Sequence, residues 1–212
     1  MARVLLLDAP VTIREVMTHE EVPLADVFRE IGHFLVGRDD AVLFGAQAVN
    51  VYAETERMTQ DVDIMSTCAE ALIDELCARV ALRFRIAARV RNVAPGAYRL
   101  DQVRKPRNRH LADVRQVDAL PAFGIVEGVR VVSPEELVAM KIVSMAARRG
   151  RPKELSDHLD IRRLLLALPE LRQKEGPVSA SLRRTGQPVA TLDLWDAIVL
   201  EPSMPDEDEE GW

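Results

Sequence analysis

A short apolar run, Ala41-Val42-Leu43-Phe44, ends on Gly45 and gives way at once to a helix-patterned segment from Ala46 to Tyr52. This strand, tight turn and helix constrain the fold of the chain more than any other feature. A few residues later, polar and apolar residues alternate from Thr59 to Met65. On a strand that alternation puts Asp61 and Asp63 on one face and Val62 and Ile64 on the other. A strand, glycine, helix and acidic strand in this order would bring the free N–H groups of a helix N-terminus beside two carboxylates.

Two carboxylates two residues apart on one strand face lie about 7 Å apart by backbone rise and can turn their oxygens toward a common point. A divalent cation resolves their repulsion. Mg²⁺, or Mn²⁺ in its place, suits such a pair because it takes carboxylate oxygens and completes its coordination with water and substrate phosphates. An Asp-x-Asp pair also decorates many solvent-facing strand ends, and Gly45 is equally compatible with a plain turn. The order of the elements is what favours a phosphate and metal site.

Around this centre the pattern predicts an α+β fold. Leu24, Val27, Phe28, Ile31 and Leu35 recur at helical spacing, and residues 69–80 read as another helix. Leu82, Phe84, Ile86, Ala88 and Val90 alternate with Arg83, Arg85 and Arg89, a strand signature. Further strands are expected near residues 98–103, 110–117 and 129–132, and a short strand-like start near the N-terminus. Ser133-Pro134-Glu135-Glu136 reads as a helix start, with Ser133 as cap, Pro134 at the first helical position and Glu136 completing a capping box. That helix should reach about Arg149. A second, over 153–168, carries Leu155, Leu159, Ile161, Leu164, Leu165 and Leu168 as its apolar set. Residues 170–190 read as a linker before a last helix at 192–199. The expected organisation is an α/β core over 1–132, a helical lobe over 133–200 and an acidic tail over 201–212.

The formal charge of −6 includes five acids in the tail Asp206-Glu207-Asp208-Glu209-Glu210; without them 29 acids face 28 bases among the 212 residues. The body is thus nearly neutral and can carry a local basic face. The densest basic segment is Arg104, Lys105, Arg107, Arg109 and His110, a loop that either stays in solvent or, if the partner is an RNA, meets its phosphates. Cys68 and Cys77 are the only cysteines and complete no zinc set, so reduced thiols in a cytoplasmic protein are expected. The apolar stretch Val4-Leu5-Leu6-Leu7 is too short for a membrane span.

Lys141 falls between Leu137 and Met145 on an apolar helical surface, where its ammonium either snorkels to water or meets a phosphate. Asp157 heads the inward stripe Ile161, Leu164 and Leu168 in the first turn of the next helix.

The segments Leu43-Phe44-Gly45-Ala46-Gln47-Ala48-Val49-Asn50-Val51-Tyr52, Arg57-Met58-Thr59-Gln60-Asp61-Val62-Asp63 and Ser133-Pro134-Glu135-Glu136-Leu137-Val138-Ala139-Met140-Lys141, followed by Arg149, Lys153, Asp157 and Asp160, resemble the nucleotidyltransferase superfamily, specifically its AbiEii/AbiGii toxin type. The resemblance spans roughly residues 24–170. It implies a nucleotidyltransferase-like mixed β-sheet flanked by helices, with a smaller C-terminal helical lobe. It also implies an NTP substrate held at Gly45 and Ala46, with Asp61 and Asp63 joined by a third carboxylate. Asp113 is the best match, with Asp118 as runner-up, to hold a second metal or accept the proton of the attacking hydroxyl. Lys141 is then directed to a phosphate, and Asp157 to Lys141 or to the nucleotide. Such a protein would move NMP from an NTP to a hydroxyl of an RNA, a protein or a small molecule, and could pair with a cognate antitoxin. The family typically places Gly-Ser or Gly-Gly at the turn; Gly45-Ala46 lacks that hydroxyl, which supports the alternative of a degenerate nucleotide-binding or protein-interaction module. A metal-dependent hydrolase or glycosyltransferase would use Asp-x-Asp but leaves Gly45 and Lys141 without a role.

Overall fold

In α1 (Leu24–Leu35), Val27, Phe28, Ile31, Phe34 and Leu35 lie on one buried face, as helical spacing requires. The computed structural model describes residues 22–53 and 58–202. The strand-like start and the acidic tail expected from the sequence lie outside them.

The strands are β1 (Ala41–Phe44), β2 (Val62–Ser66), β3 (Ala88–Ala94), β4 (Ala97–Gln102), β5 (Arg109–Gln116), β6 (Phe123–Val126) and β7 (Val129–Val132). They form one mixed sheet in the order β3-β4-β5-β2-β1-β7-β6. The β2–β5 and β1–β7 pairings are parallel and the other four are antiparallel. The helix α2 (Gly45–Tyr52) follows β1 directly, and α3 (Ala69–Phe84) packs on β2 through β5. On these strands Val62, Ile64, Leu100 and Val114 are fully buried, as are Leu72, Ile73, Leu76 and Val80 of α3. This is an α+β fold with a mixed sheet flanked by helices.

The chain divides into two compact units, one holding Met1–Val51 and Glu56–Ser133, the other Tyr52–Thr55 and Pro134–Trp212. In the second unit, α4 (Pro134–Ala147) packs against α5 (Pro152–Ala167), α6 (Pro177–Arg184) and α7 (Val189–Leu200). Its interior includes Leu137, Ile142, Ile161, Leu164, Leu182 and Trp195.

Four expectations change. The alternating segment from Leu82 straddles two elements: α3 runs to Phe84, Arg85 adopts a left-handed cap at φ 53°, and the strand starts only at Ala88. Leu82 is 83% exposed, so the first half of the alternation faces water. The capping box at Ser133 is not formed among the described residues. Ser133 Oγ has no hydrogen-bond partner, and Glu136 instead accepts from Ser181 Oγ at 2.9 Å and from the Arg184 guanidinium. On α5, Leu155 and Leu159 are 72% and 50% exposed, because Asp157, Asp160, Ile161, Leu164 and Leu165 take the inner face. The linker over 170–190 contains α6, whose Val178 and Leu182 are buried; β6 had no signal in the sequence.

Between α1 and β1 a fork of charge fixes the turn. Arg38 Nε and Nη2 donate to the two oxygens of Asp40 at 2.8 and 2.6 Å, and Nη1 donates to Glu75 at 2.7 Å. These bonds, helped by the Cys68 thiol and opposed by partial burial, hold the Asp40 carboxyl down to about 2 from 3.8. A carboxyl depressed on folding adds stability above its unfolded pKa and loses it as pH falls toward its folded one. Asp40 should therefore contribute fully above about pH 4 and lose that contribution toward pH 2. Acid unfolding followed by circular dichroism should show a shallower pH dependence in Asp40→Asn; an unchanged curve would remove Asp40 from the account.

Candidate active site

The register of the sheet assembles a row of side chains perpendicular to the strands. Phe44 of β1 lies opposite Asp63 of β2, Asp63 opposite Asp113 of β5, Asp113 opposite Arg99 of β4, and Arg99 opposite Arg91 of β3. Residues paired in register point to the same face. This face is the one opposite Val62, Ile64 and Val114. Asp61, two residues before Asp63, joins it at the mouth of β2.

Gly45 brings the start of α2 against this row. It has φ +73°, the left-handed region that a side chain resists, and a Cβ built on it would lie 2.1 Å from Asp63 Oδ2 and 2.8 Å from Asp63 Cβ. The glycine therefore answers two demands at once, the turn from strand to helix and the space taken by the Asp63 carboxylate. Gln47 Nε2 donates to Thr59 Oγ1 at 2.6 Å and ties α2 to the segment leading into Asp61. The first turn of α2 thus lies next to a carboxylate, and helix N-terminal N–H groups are able to hold phosphate oxygens once the carboxylate charge is met by a cation.

Asp113 and Asp61 are joined by a side chain that sequence reading left in the basic loop. His110 Nδ1 lies 3.0 Å from Asp61 Oδ2, and Nε2 lies 2.9 Å from Asp113 Oδ1. Strict alternation would put residues 110 and 113 on opposite faces, since they are an odd number apart. A β-bulge reverses this. Leu100 pairs with Ala112 but Asp101 pairs with His110, so Leu111 is the extra residue, and Leu111 and Ala112 are both buried. Arg99 was likewise unmarked in the sequence. Its Nε and Nη2 donate to both Asp113 oxygens at 2.8 and 2.9 Å. Arg115, the same-strand neighbour that spacing would have paired with Asp113, instead lies over the Phe44 ring at 5.2 Å.

The electrostatics follow from these contacts. Burial, the largest single influence on His110, opposes its charge, but the hydrogen bonds and charges of Asp113 and Asp61 outweigh it and push its pKa up to about 9. Burial likewise acts against ionised Asp113, and the His110 and Arg99 bonds reverse it, holding the carboxyl well below the usual carboxylate range. The Arg99 guanidinium is raised in return, first through its bond to Asp113.

The donor chemistry here fits a divalent cation. Among the described residues one ligand atom each from Asp61, His110 and Asp113 lie within 4.8 Å of one another; Asp63, in register with Asp113 on the same face, is outside this group and lies against Gly45. Carboxylate oxygens suit Mg²⁺ and Mn²⁺, and an imidazole nitrogen suits transition ions. Asp118, the runner-up to Asp113, lies beyond the end of β5.

The second unit brings together the other two expected residues. Lys141 Nζ donates to Asp157 Oδ1 at 3.2 Å and to Asp160 Oδ2 at 2.7 Å. Asp157 Oδ2 also accepts from Ser144 Oγ at 2.8 Å and from Arg148 Nη1 at 3.0 Å. Asp160, fully buried, was quoted in the sequence pattern without a role. Its three-residue spacing from Asp157 puts both on one helical face, a signal that could have marked it. Removing a cation from two buried carboxylates is costly, so Lys141→Met should destabilise this unit by about 3 kcal/mol. A urea midpoint unchanged by the substitution would contradict that.

In the basic segment, Arg104, Lys105 and Arg107 are exposed, whereas Arg109 Nη1 donates to the Val22 carbonyl at 2.9 Å and His110 turns into the site.

No protein-family model matches the sequence, and no curated protein matches it. Solved structures do resemble its fold. The Helicobacter pylori protein JHP933 is 12% identical with a TM-score of 0.53, over 90% of this chain and 92% of that one. A second H. pylori protein, described as a candidate nucleotidyltransferase, is 13% identical with a TM-score of 0.53, over 89% and 94%. The Megavirus polyadenylate synthase is 12% identical with a TM-score of 0.56, over 73% of this chain but only 33% of the viral one. The fold is thus nucleotidyltransferase-like. No helix among the described residues is long and apolar enough to cross a membrane.

Proposed function

We propose that the chain is a metal-dependent nucleotidyltransferase that moves NMP from an NTP to an acceptor hydroxyl, with its reaction centre at Asp61 and Asp63. The observation that carries this reading is the contact of Gly45 with Asp63, which sets phosphate-binding N–H groups and a metal-binding carboxylate side by side. The likeness in fold to a polyadenylate synthase and to a candidate nucleotidyltransferase agrees with it.

In the reaction the acceptor hydroxyl oxygen attacks the α-phosphorus and gives up its proton to water, the bond from that phosphorus to the bridging oxygen breaks, and pyrophosphate departs with the electron pair. A divalent ion bound here, Mg²⁺ or Mn²⁺, would supply a Lewis acid for the charge that develops on the phosphate oxygens. Asp61 and Asp63 would hold that ion, and the N–H groups from Gly45 and Ala46 position the triphosphate. Asp113 adds a third negative charge at the centre. Both its oxygens already accept from Arg99, which suits a fixed charge better than a proton acceptor. Within the second unit Lys141 gives two of its N–H donors to Asp157 and Asp160. The acceptor is an RNA, a protein or a small molecule, and the sequence resemblance to AbiEii/AbiGii toxins favours a macromolecule and a cognate antitoxin, in the cytoplasm.

The test is incubation with each α-labelled NTP, Mg²⁺ or Mn²⁺, and total RNA or lysate protein. Label should move to an acceptor with the wild-type chain and not with Asp61→Ala. No transfer to any acceptor, or transfer equal in the two, would refute the reading. Ala46, which offers no hydroxyl to the triphosphate, favours a second reading, a nucleotide-binding module without turnover. Calorimetry would support that one if NTP bound in a metal-dependent way while no acceptor was labelled.

A further inference from the structure

Resting on the assignment of a cation to the Asp61 centre, we infer that His110 is itself a metal ligand through Nδ1, so that the site takes Mn²⁺ in preference to Mg²⁺. Three observations carry this. The first is distance. Two ligands at right angles on one cation with bonds of about 2.1 Å are about 3 Å apart. His110 Nδ1 and Asp61 Oδ2 are 3.0 Å apart already, the spacing of neighbouring ligands on one ion. A cation shared by the two atoms would lie to one side of the line between them, so the ring must tilt to turn the Nδ1 lone pair toward it.

The second is what holds the ring. A histidine that binds a metal through one nitrogen commonly donates its other N–H to a carboxylate, which fixes the tautomer and the ring plane. His110 Nε2 lies 2.9 Å from Asp113 Oδ1, and Asp113 is in turn clamped by both the Nε and Nη2 donors of Arg99. The chain from Arg99 through Asp113 to His110 is the support that a ligating imidazole needs. It makes Asp113 a positioning residue that acts through the ring.

The third is the backbone. The bulge at Leu111 is what turns His110 onto the face of Asp113. Without that extra residue the ring would point away from both carboxylates. Imidazole nitrogen binds first-row transition ions better than it binds Mg²⁺, which favours oxygen. A donor set of Asp61 and His110 Nδ1, with Asp113 behind the ring, is therefore a mixed one, selective by its nitrogen.

The experiment uses the full chain without nucleotide. Mn²⁺ binding is followed by electron paramagnetic resonance, Mg²⁺ by its competition with Mn²⁺, and the Mn²⁺-loaded wild-type protein is examined by pulsed spectroscopy for coupling to an imidazole nitrogen. We expect Mn²⁺ to bind at least tenfold more tightly than Mg²⁺, with nitrogen coupling present. His110→Ala should lose the coupling and weaken Mn²⁺ binding about tenfold to a hundredfold, with Mg²⁺ changed by less than about twofold. Arg99→Met should weaken Mn²⁺ in the same direction through the ring it supports, and circular dichroism identifies any variant that has unfolded. The wild-type spectrum decides the question without a variant. Tighter binding of both ions in His110→Ala would show the ring to be a competitor for the cation, and would overturn the inference. Mn²⁺ lost on Asp61→Ala but never coupled to nitrogen would overturn it too, while leaving nucleotidyl transfer untouched. Labelled transfer that fails while the nitrogen coupling is present would strike the proposed function alone.

Discussion

Asp63→Asn is expected to lower nucleotidyl transfer at least about a thousandfold, a loss of about 4 kcal/mol in transition-state stabilisation. The substitution changes charge and almost nothing else. Asparagine fills the same volume, so the space beside Gly45 stays occupied and no cavity opens. The register that sets residue 63 opposite Asp113 depends on the backbone, and β2 sits between β5 and β1 with its Val62 and Ile64 buried. Thermal unfolding measured beside transfer separates a lost reaction centre from a damaged fold. The two measurements are labelled-nucleotide transfer at saturating metal and thermal unfolding by circular dichroism. Transfer within tenfold of wild type would remove Asp63 from the reaction.

The features that sequence alone exposed are those carried by neighbours along the chain. The strand ending at Gly45, the helix after it and the alternation through Asp61 and Asp63 each occupy a handful of consecutive residues, and local periodicity reads them directly. Lys141 and Asp157 also stood out, because charge on an apolar helical face is conspicuous in a window of two turns. What stayed hidden depends on register between strands far apart in sequence. Arg99 reaches Asp113 only because β4 and β5 pair with Arg99 opposite Asp113. His110 reaches Asp61 only because a single bulged residue shifts the phase of β5, and a bulge has no periodic signature.

The other misses share a second cause, the ambiguity of short apolar patterns. Leu82, Phe84 and Ile86 fit a strand by alternation, yet they sit at a helix end where Arg85 closes the last turn through its N–H to Ala81. Two phases of leucine run along α5, and only the one aligned with Asp157, Asp160 and Ile161 is covered. Periodicity alone offers no choice between the two phases; the partner helices make it.

Gly45→Ala is expected to lower transfer at least about a hundredfold, although it adds only one methyl group and no charge. Two costs arise, and a second glycine separates them. Gly37 has φ +73°, the same as Gly45, but a Cβ there would meet nothing within 4 Å. Gly37→Ala therefore measures left-handed strain alone, about 1–2 kcal/mol of stability, with transfer unchanged. At Gly45 the same strain is joined by a collision at 2.1 Å with Asp63 Oδ2, and the carboxylate must swing away from its place against the first turn of α2. A displacement of about 1 Å in a positioned catalytic group is enough to cost about a hundredfold in rate. The left-handed strain at the turn would move the N–H groups of Gly45 and Ala46 as well, so the losses compound. Transfer by Gly45→Ala should thus fall at least about a hundredfold below that of Gly37→Ala at comparable thermal stability. Equal transfer by the two variants would mean that the carboxylate of Asp63 has no need of its place against the glycine, and the reaction centre would have to be sought elsewhere on the sheet.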